Sequence, residues 1–255
     1  MDFLIIIVLG AIWGSFANVC IYRLPKNKEI IIQNSFCPNC KKKIHWFDNI
    51  PILSFIFLWG RCRKCNKLIS LRYLIVEFLG AISFLFIYLN FGLTITTLLL
   101  MILAIFFIII FFIDLKHFII PDSLTFPLMI IGFIKSFDPN LNTSIFPNFV
   151  NSFIGGILGY LIIWFIIFFY KQIRKREGMG LGDAKLMSVI GFWFGWISLP
   201  YVIFLSSFIA LFFAIPQLMN KTKKMSSEIP FGPYIISATI IFIIFSDSLR
   251  RMMFF

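Results

Sequence analysis

The chain contains an uninterrupted stretch of 21 uncharged residues, at positions 93–113, which Asp114 ends. A helix of about 20 apolar residues is long enough to cross the hydrocarbon core of a bilayer. The rest of the sequence has the same character, since 60% of the 255 residues are hydrophobic and only 13% are charged. A soluble domain of this length needs far more polar surface, so the sequence indicates an integral membrane protein.

Eight apolar segments qualify as membrane spans, so the predicted fold is an all-α integral membrane protein with about eight transmembrane helices. The predicted spans are residues 3–22, 73–90, 93–113, 119–137, 149–170, 186–199, 201–218 and 229–245. The segment 186–199 is short for a span. Met1-Asp2 offers no basic region and no Ala-x-Ala cleavage site follows, which predicts an uncleaved anchor and not a signal peptide.

The positive charges are clustered between the apolar segments. Of the 23 Lys and Arg residues, 11 lie within residues 23–72, five within 171–185 and three within 221–224. Alternating the eight spans puts all three clusters on one side, which the positive-inside pattern identifies as the cytosol. Despite the net charge of +12, this distribution favours membrane orientation and contact with anionic lipid, and no nucleic-acid partner is expected. Arg250 and Arg251 would face outward, against the rule.

Four of the five cysteines lie in the loop 23–72, in the pattern C-x2-C-x21-C-x2-C: Cys37, Cys40, Cys62 and Cys65. Each pair could supply two thiolates from a tight turn to a tetrahedral ion, and neighbouring basic residues would offset their negative charge. Two disulfides are the alternative, which a reducing cytosol disfavours. The sequence therefore predicts a closed structural zinc site, whereas Cys20 in the first span is expected to be a small buried apolar residue.

Two acids lie at predicted span ends. Asp114 ends the third span and Asp183 precedes the sixth, so both are predicted at the cytosolic boundary of the membrane. An ionisable group there is costly and indicates a functional site. Of two neighbouring carboxylates, the ionised one can activate water while the protonated one polarises a peptide carbonyl. The pair predicts aspartic-protease chemistry; the alternative is a proton-coupled membrane transporter, which would not account for the cysteine loop.

Three glycines precede the second acid at alternate positions, 178, 180 and 182. Glycine permits close backbone approach, so an extended peptide could lie against this turn. An ordinary flexible loop before a helix is the alternative, and a Gly-x-Gly-Asp sequence alone does not decide between them.

Other polar residues near the acids receive simpler interpretations. Pro121 suits the start of a new helix, with Asp122 as a helix-start residue. Lys116 and Lys185 each follow an acid by two positions, so on a helix they are expected to turn away from it and reach lipid headgroups. His117 is expected to be a polar cap and not a catalytic base.

Four motifs occur in the order seen in bacterial prepilin peptidases, which the sequence resembles. They are residues 14–25 (GSFANVCIYRLP), the two Cys-x-x-Cys pairs, residues 114–125 (DLKHFIIPDSLT) and residues 180–186 (GLGDAKL). These enzymes, also called type IV leader peptidases, are membrane aspartic proteases of the GxGD class. The resemblance covers about residues 14–187 by motif, and the later spans fit by length and number.

The resemblance implies cleavage of the basic leader of type IV prepilins or pseudopilins after a glycine, at the cytosolic face of the bacterial inner membrane. Asp114 and Asp183 occupy the catalytic positions of the family. Many members then methylate the new N-terminus with S-adenosylmethionine, and the cysteine loop is typical of these bifunctional members. A peptidase without methyltransferase activity is the alternative. The predicted organisation is a first helix (1–22), a cytosolic four-cysteine zinc-binding loop (23–72) and a polytopic peptidase domain (73–255).

Overall fold

The computed structural model describes residues 2–29, 35–141, 145–175, 180–219 and 230–253. Over these residues the fold is helical and contains no β-strand beyond two isolated bridges, which confirms the predicted all-α class. The α-helices are α1 (Asp2–Arg23), α2 (Leu53–Phe57), α3 (Leu71–Phe91), α4 (Ile95–His117), α5 (Asp122–Lys135), α6 (Phe149–Arg174), α7 (Leu181–Phe194), α8 (Ser198–Met219) and α9 (Gly232–Met253). The chain groups into two compact units, Met1–Ile109 (unit 1) and Ile110–Phe255 (unit 2).

Within the part of the chain that the structure describes, five helical segments are long and apolar enough to cross a membrane, which makes this a multi-pass membrane protein. They are Asp2–Lys26, Leu71–Phe91, Ile95–His117, Phe149–Ile173 and Ser198–Ile215. A shorter apolar segment, Gly232–Ser246, lies in α9, and α5 and α7 have 14 residues each. Each of the eight predicted spans overlaps one of these helices, but eight crossings and the three-part domain organisation stay predictions.

The sixth predicted span, residues 186–199, has the wrong boundaries. Helix α7 begins at Leu181 and ends at Phe194, five residues earlier at each end. Gly195 stops it by adopting a φ of 80°, a left-handed conformation that glycine adopts without steric cost. The residues after Gly195 are again apolar, so a span predicted from hydropathy alone continues past the turn. As a consequence Asp183 lies within the first turn of the helix and not before it.

In unit 1, α1 packs against α3 through small residues. A Cβ atom at Gly14 would lie 2.7 Å from the Cα of Glu77, and one at Gly10 would lie 2.5 Å from the carbonyl oxygen of Gly80. Close backbone approach of this kind is how helices associate within membranes. It brings the end of α1 next to the start of α3, on either side of the cysteine loop in the sequence.

In unit 2, α7 is the most enclosed helix. It packs against α5, α6, α8 and α9, and 10 of its 14 residues are buried. Glycines allow the closest approach, between α6 and α7, where a Cβ atom at Gly155 would lie 2.5 Å from the carbonyl oxygen of Gly191. Because α7 carries Asp183 in its first turn, this packing fixes the position of that acid.

The change Gly191→Ala should therefore destabilise unit 2. The added methyl group would overlap the carbonyl of Gly155, which is backbone and cannot rotate away, so we expect a loss of about 1–3 kcal/mol. Thermal unfolding of the protein in detergent measures this loss. Gly180→Ala is the control, because its methyl group would meet no atom of the described residues nearer than 3.9 Å. Equal melting temperatures for the two variants would contradict the packing argument.

Candidate active site and cysteine cluster

Asp114 lies near the end of α4 and is almost fully buried, with 4% of its surface exposed. Its Oδ2 accepts a hydrogen bond of 3.0 Å from the backbone N–H of Gly232. Gly232 is the first residue of α9, and the first N–H groups of a helix have no partner within the helix. The carboxylate of Asp114 on α4 thus accepts a hydrogen bond from an N–H group at the start of α9. This bond positions the acid inside unit 2.

Asp183 lies in the first turn of α7 and is also buried, with 7% of its surface exposed. The negative charge of Asp114 acts electrostatically on its carboxylate. The same side chain, Ile120, contacts the backbone beside both acids: positions for a Cβ on Gly182 and on Gly232 lie 3.0 Å and 3.1 Å from its atoms. The two acids, 69 positions apart in the sequence, are therefore neighbours within one unit.

The described residues leave space beside the carboxylate of Asp183, next to Gly180. Gly180 precedes α7 with an extended backbone, and among the described residues the atoms nearest to a Cβ there would be the nitrogen of Gly182 at 3.9 Å and the Oδ2 of Asp183 at 4.0 Å. An extended peptide backbone could therefore approach the acid from this side. Gly178, the first of the three predicted glycines, lies outside the described residues.

The structure corrects the interpretation of one lysine. Lys185 turns away from Asp183, as predicted, but its Nζ donates to Oδ1 of Asp122 at 2.6 Å. Asp122 is the first residue of α5, as predicted, and its carboxylate faces a residue of α7. The pair therefore connects the start of α5 to α7. Lys116 is exposed, and its lipid contact, like the role of His117, stays a prediction.

Sequence reasoning missed Gly232, the partner of Asp114. The signal was present as Pro230-Phe231-Gly232-Pro233, because proline in the first turn marks the start of a helix. A Cβ atom at this position would lie 2.7 Å from the Oδ2 of Asp114, so any larger residue would displace the carboxylate. Nothing in the linear sequence, however, indicates that this helix start meets an acid 118 positions away.

The four cysteines of the loop form one cluster in unit 1. Their sulfur atoms all lie within 4.8 Å of one another, and Cys20 is buried apart from them in α1, as predicted. The Sγ atoms of Cys37 and Cys65 are 3.9 Å apart, close to the roughly 3.8 Å expected for two thiolates each about 2.3 Å from a tetrahedral zinc. The cluster consists of free thiols and could hold a metal ion.

The two Cys-x-x-Cys segments have the same backbone conformation. In the first, the N–H of Lys41 donates to the carbonyl of Cys37 at 2.8 Å, and in the second the N–H of Asn66 donates to that of Cys62 at 2.9 Å. Lys41 and Asn66 both have positive φ values, 56° and 58°. A short antiparallel bridge closes each turn, so each segment is a rigid knuckle that presents two sulfur atoms.

One thiol of the cluster, that of Cys62, favours the thiolate form that binds metal, whereas desolvation and hydrogen bonds from the other three cysteines raise the pKa of Cys65 to about 11. Backbone N–H groups of Cys65 and of Lys64 point at the sulfur of Cys62 and lower the pKa of this thiol to about 7. A thiol with this pKa is partly ionised at neutral pH and readily loses its proton to solvent when it binds a metal ion.

The comparisons with known proteins agree for both units. Residues 8–91 match the family described as Bacterial Peptidase A24 N-terminal domain, and residues 101–215 match the Type IV leader peptidase family. A protein of Aeromonas hydrophila named prepilin leader peptidase/N-methyltransferase is 33% identical, over 98% of this chain and 92% of its own length. Proteins of the same name are 34% identical in Neisseria gonorrhoeae, over 92% of this chain and 88% of the relative, and 31% identical in Pseudomonas aeruginosa, over 96% and 91%.

No solved structure gives a significant match to the chain. The two family matches follow one another along most of the sequence, and the three relatives named above are 31–34% identical over 88–92% of their own length. The chain belongs to the type IV leader peptidase family.

Proposed function

We propose that this chain is a bifunctional prepilin leader peptidase and N-methyltransferase. It cleaves the basic leader from type IV prepilins or pseudopilins and then methylates the new N-terminal amine. The observation that carries the proposal is the pair of buried acids, Asp114 and Asp183, brought together from different helices of unit 2. The relatives, named for both activities, support the assignment of substrate.

In the proposed peptidase reaction the two acids exchange protons with a water molecule and the scissile peptide. The ionised carboxylate takes a proton from water, whose oxygen attacks the carbonyl carbon, while the protonated carboxylic acid donates a hydrogen bond to the carbonyl oxygen. The C–N bond then breaks as the amine nitrogen gains a proton from the acid pair. One acid cannot hold both protonation states at once, so the reaction requires Asp114 and Asp183 together.

The substrate backbone is proposed to lie beside Gly180, in the space next to Asp183. An extended segment there would place its carbonyl near both acids. The basic residues of 23–72 and 171–185 support a cytosolic orientation for this side of the protein in the bacterial inner membrane. Anionic lipids at that surface would also attract the positively charged leader of the substrate.

For the methyltransferase activity, S-adenosylmethionine when bound supplies a methyl group that leaves its sulfur as the N-terminal amine nitrogen forms a bond to it and gives up a proton. The cysteine cluster does not enter this chemistry, because four protein ligands leave a zinc ion no open position. Its proposed role is to hold the loop of unit 1 in shape around a structural zinc.

The four cysteines should bind about one equivalent of zinc per chain, as expected for a structural site with four thiolate ligands. Cys62→Ser/Cys65→Ser should remove it, since two of four ligands are lost, while Cys20→Ala should keep it because Cys20 lies outside the cluster. Metal analysis of the purified proteins makes the comparison. A mass showing two disulfides in protein from a reducing cytosol would overturn the zinc assignment.

Mass spectrometry of a prepilin co-expressed with the chain tests both activities together. The expected product lacks the leader and carries one added methyl group on the new N-terminus. A cleaved but unmethylated product would identify a peptidase alone, and an uncleaved prepilin in the presence of membrane-inserted protein would contradict the proposed function.

A further inference from the structure

Unit 1 contains a cavity of about 680 Å³ between the end of α1, the cysteine loop and the start of α3. Sites for drug-sized ligands have volumes of roughly 300–1,000 Å³, and a nucleoside with an amino-acid side chain falls in this class. The aspartates are not among its lining residues, all of which lie between Ile12 and Glu77. The cavity therefore shares no residue with the proposed peptidase pair.

Asn18 lines this cavity with an acceptor that lacks a donor. Its side chain is 2% exposed, and its Nδ2 donates to the carbonyl oxygens of Tyr73 at 3.0 Å and Gly14 at 3.4 Å. These two bonds fix the orientation of the amide. They leave Oδ1 buried, without a hydrogen-bond partner in the described part of the chain. Because a buried acceptor without a donor is costly, this atom calls for an N–H or O–H group of a ligand.

Glu77 provides a buried negative charge on the same cavity wall. It is 8% exposed, and its Oε2 accepts a hydrogen bond of 2.8 Å from the backbone N–H of Ile52. Ser15 also lines the cavity, close to this carboxylate. Among the described residues no lysine or arginine forms an ion pair with it. Buried charges are normally paired, so the carboxylate is placed to receive a cationic ligand.

The contact with Glu77 also shapes the loop that closes the cavity. Ile52 has a φ of 62° and a ψ of −54°, a strained conformation for a β-branched residue. Strain of this kind persists only where surrounding contacts hold it, and the bond from its N–H to Glu77 is one such contact. Exposed lysines, Lys42, Lys43, Lys64 and Lys67, line other parts of the cavity and offer positive charge to a ligand carboxylate.

We propose that this cavity binds S-adenosylmethionine, with Glu77 facing its positively charged end and Oδ1 of Asn18 accepting a hydrogen bond from it. The ligand carries a cationic sulfonium and ammonium, a carboxylate and several N–H and O–H donors, which match the groups of the cavity. This inference rests on the proposed methyltransferase activity and names its donor site. It also gives the cysteine loop a role, since Cys37, Cys40 and Cys62 belong to the cavity wall.

Glu77→Gln tests the site in the full-length protein. Glutamine keeps an acceptor for the N–H of Ile52 but removes the charge, so metal content and melting temperature should stay as in the wild type. Its affinity for S-adenosylmethionine, measured by isothermal titration calorimetry in detergent, should fall about tenfold or more. Glu29→Gln makes the same change at an exposed residue of unit 1 that does not line the cavity, and it should bind as the wild type does.

Photocrosslinking of radiolabelled S-adenosylmethionine to the wild-type protein gives a second measurement that needs no variant. The label should appear in peptides from residues 12–23 or 35–77, and a label confined to unit 2 would overturn the proposal. If the wild type methylates a cleaved pilin while Glu77→Gln retains full affinity, the assigned site is wrong and the proposed function stands. If the wild type neither binds the donor nor methylates, the methyltransferase proposal itself fails, together with its site.

Discussion

Replacing either Asp114 or Asp183 by asparagine should lower the rate of prepilin cleavage by about 10³-fold or more, the scale on which positioned acids and bases contribute to catalysis. Asparagine has nearly the same shape as aspartate, but its amide neither accepts nor releases a proton during the reaction. Each variant would therefore lose one of the two protonation states that the reaction needs. At position 114 the amide oxygen could still accept the hydrogen bond from Gly232, so the local fold should persist.

Asp122→Asn is the matched control for these variants. It is another acid of unit 2, half exposed and paired with Lys185 on the surface, and a pair of this kind contributes little to stability. We expect its cleavage rate to stay within a fewfold of the wild type. A quantitative processing assay on protein confirmed to be in the membrane makes the comparison; substantial cleavage by the Asp114 or the Asp183 variant would remove that residue from the catalytic pair.

The helical elements were largely predictable from the sequence. Inside a membrane, a long apolar segment can satisfy its own backbone hydrogen bonds by forming a helix. The errors fall where hydropathy carries no information about backbone conformation. The turn at Gly195 is flanked by apolar residues on both sides, so the predicted sixth span ran through it. Likewise the last predicted span began at residue 229, whereas α9 begins at Gly232.

The members of the site were predictable to different degrees. Asp114 and Asp183 could be proposed as the catalytic pair because acids at span ends are costly and therefore uncommon. Their neighbours could not, since Gly232 and the Asp122–Lys185 pair depend on contacts across 118 and 63 positions. Such contacts follow from helix packing, which a single sequence does not encode in any local pattern. The cysteine cluster was the easiest part to predict, because each Cys-x-x-Cys pair brings two sulfur atoms together through a local turn.

The two proposed activities should separate by mutation, because their residues lie in different units. Cys37→Ser/Cys40→Ser removes two ligands of the proposed zinc, which supplies much of the folding free energy of a small metal module. The loop would then lose the wall of the cavity that it shares with Asn18 and Glu77. Methylation should fall to a few per cent of wild type or below, whereas cleavage, carried by unit 2, should decrease far less.

The reverse separation is expected for Asp183→Asn. This variant should fail to cleave a prepilin yet methylate a pilin supplied with its leader already removed, since the carboxylate of Asp183 lies outside the cavity of unit 1. Assaying each reaction on its own substrate is essential, because a cleavage defect in a coupled assay would also abolish methylation. Equal loss of both reactions in every variant would mean that they share one site. The two separate sets of buried polar residues predict two sites instead.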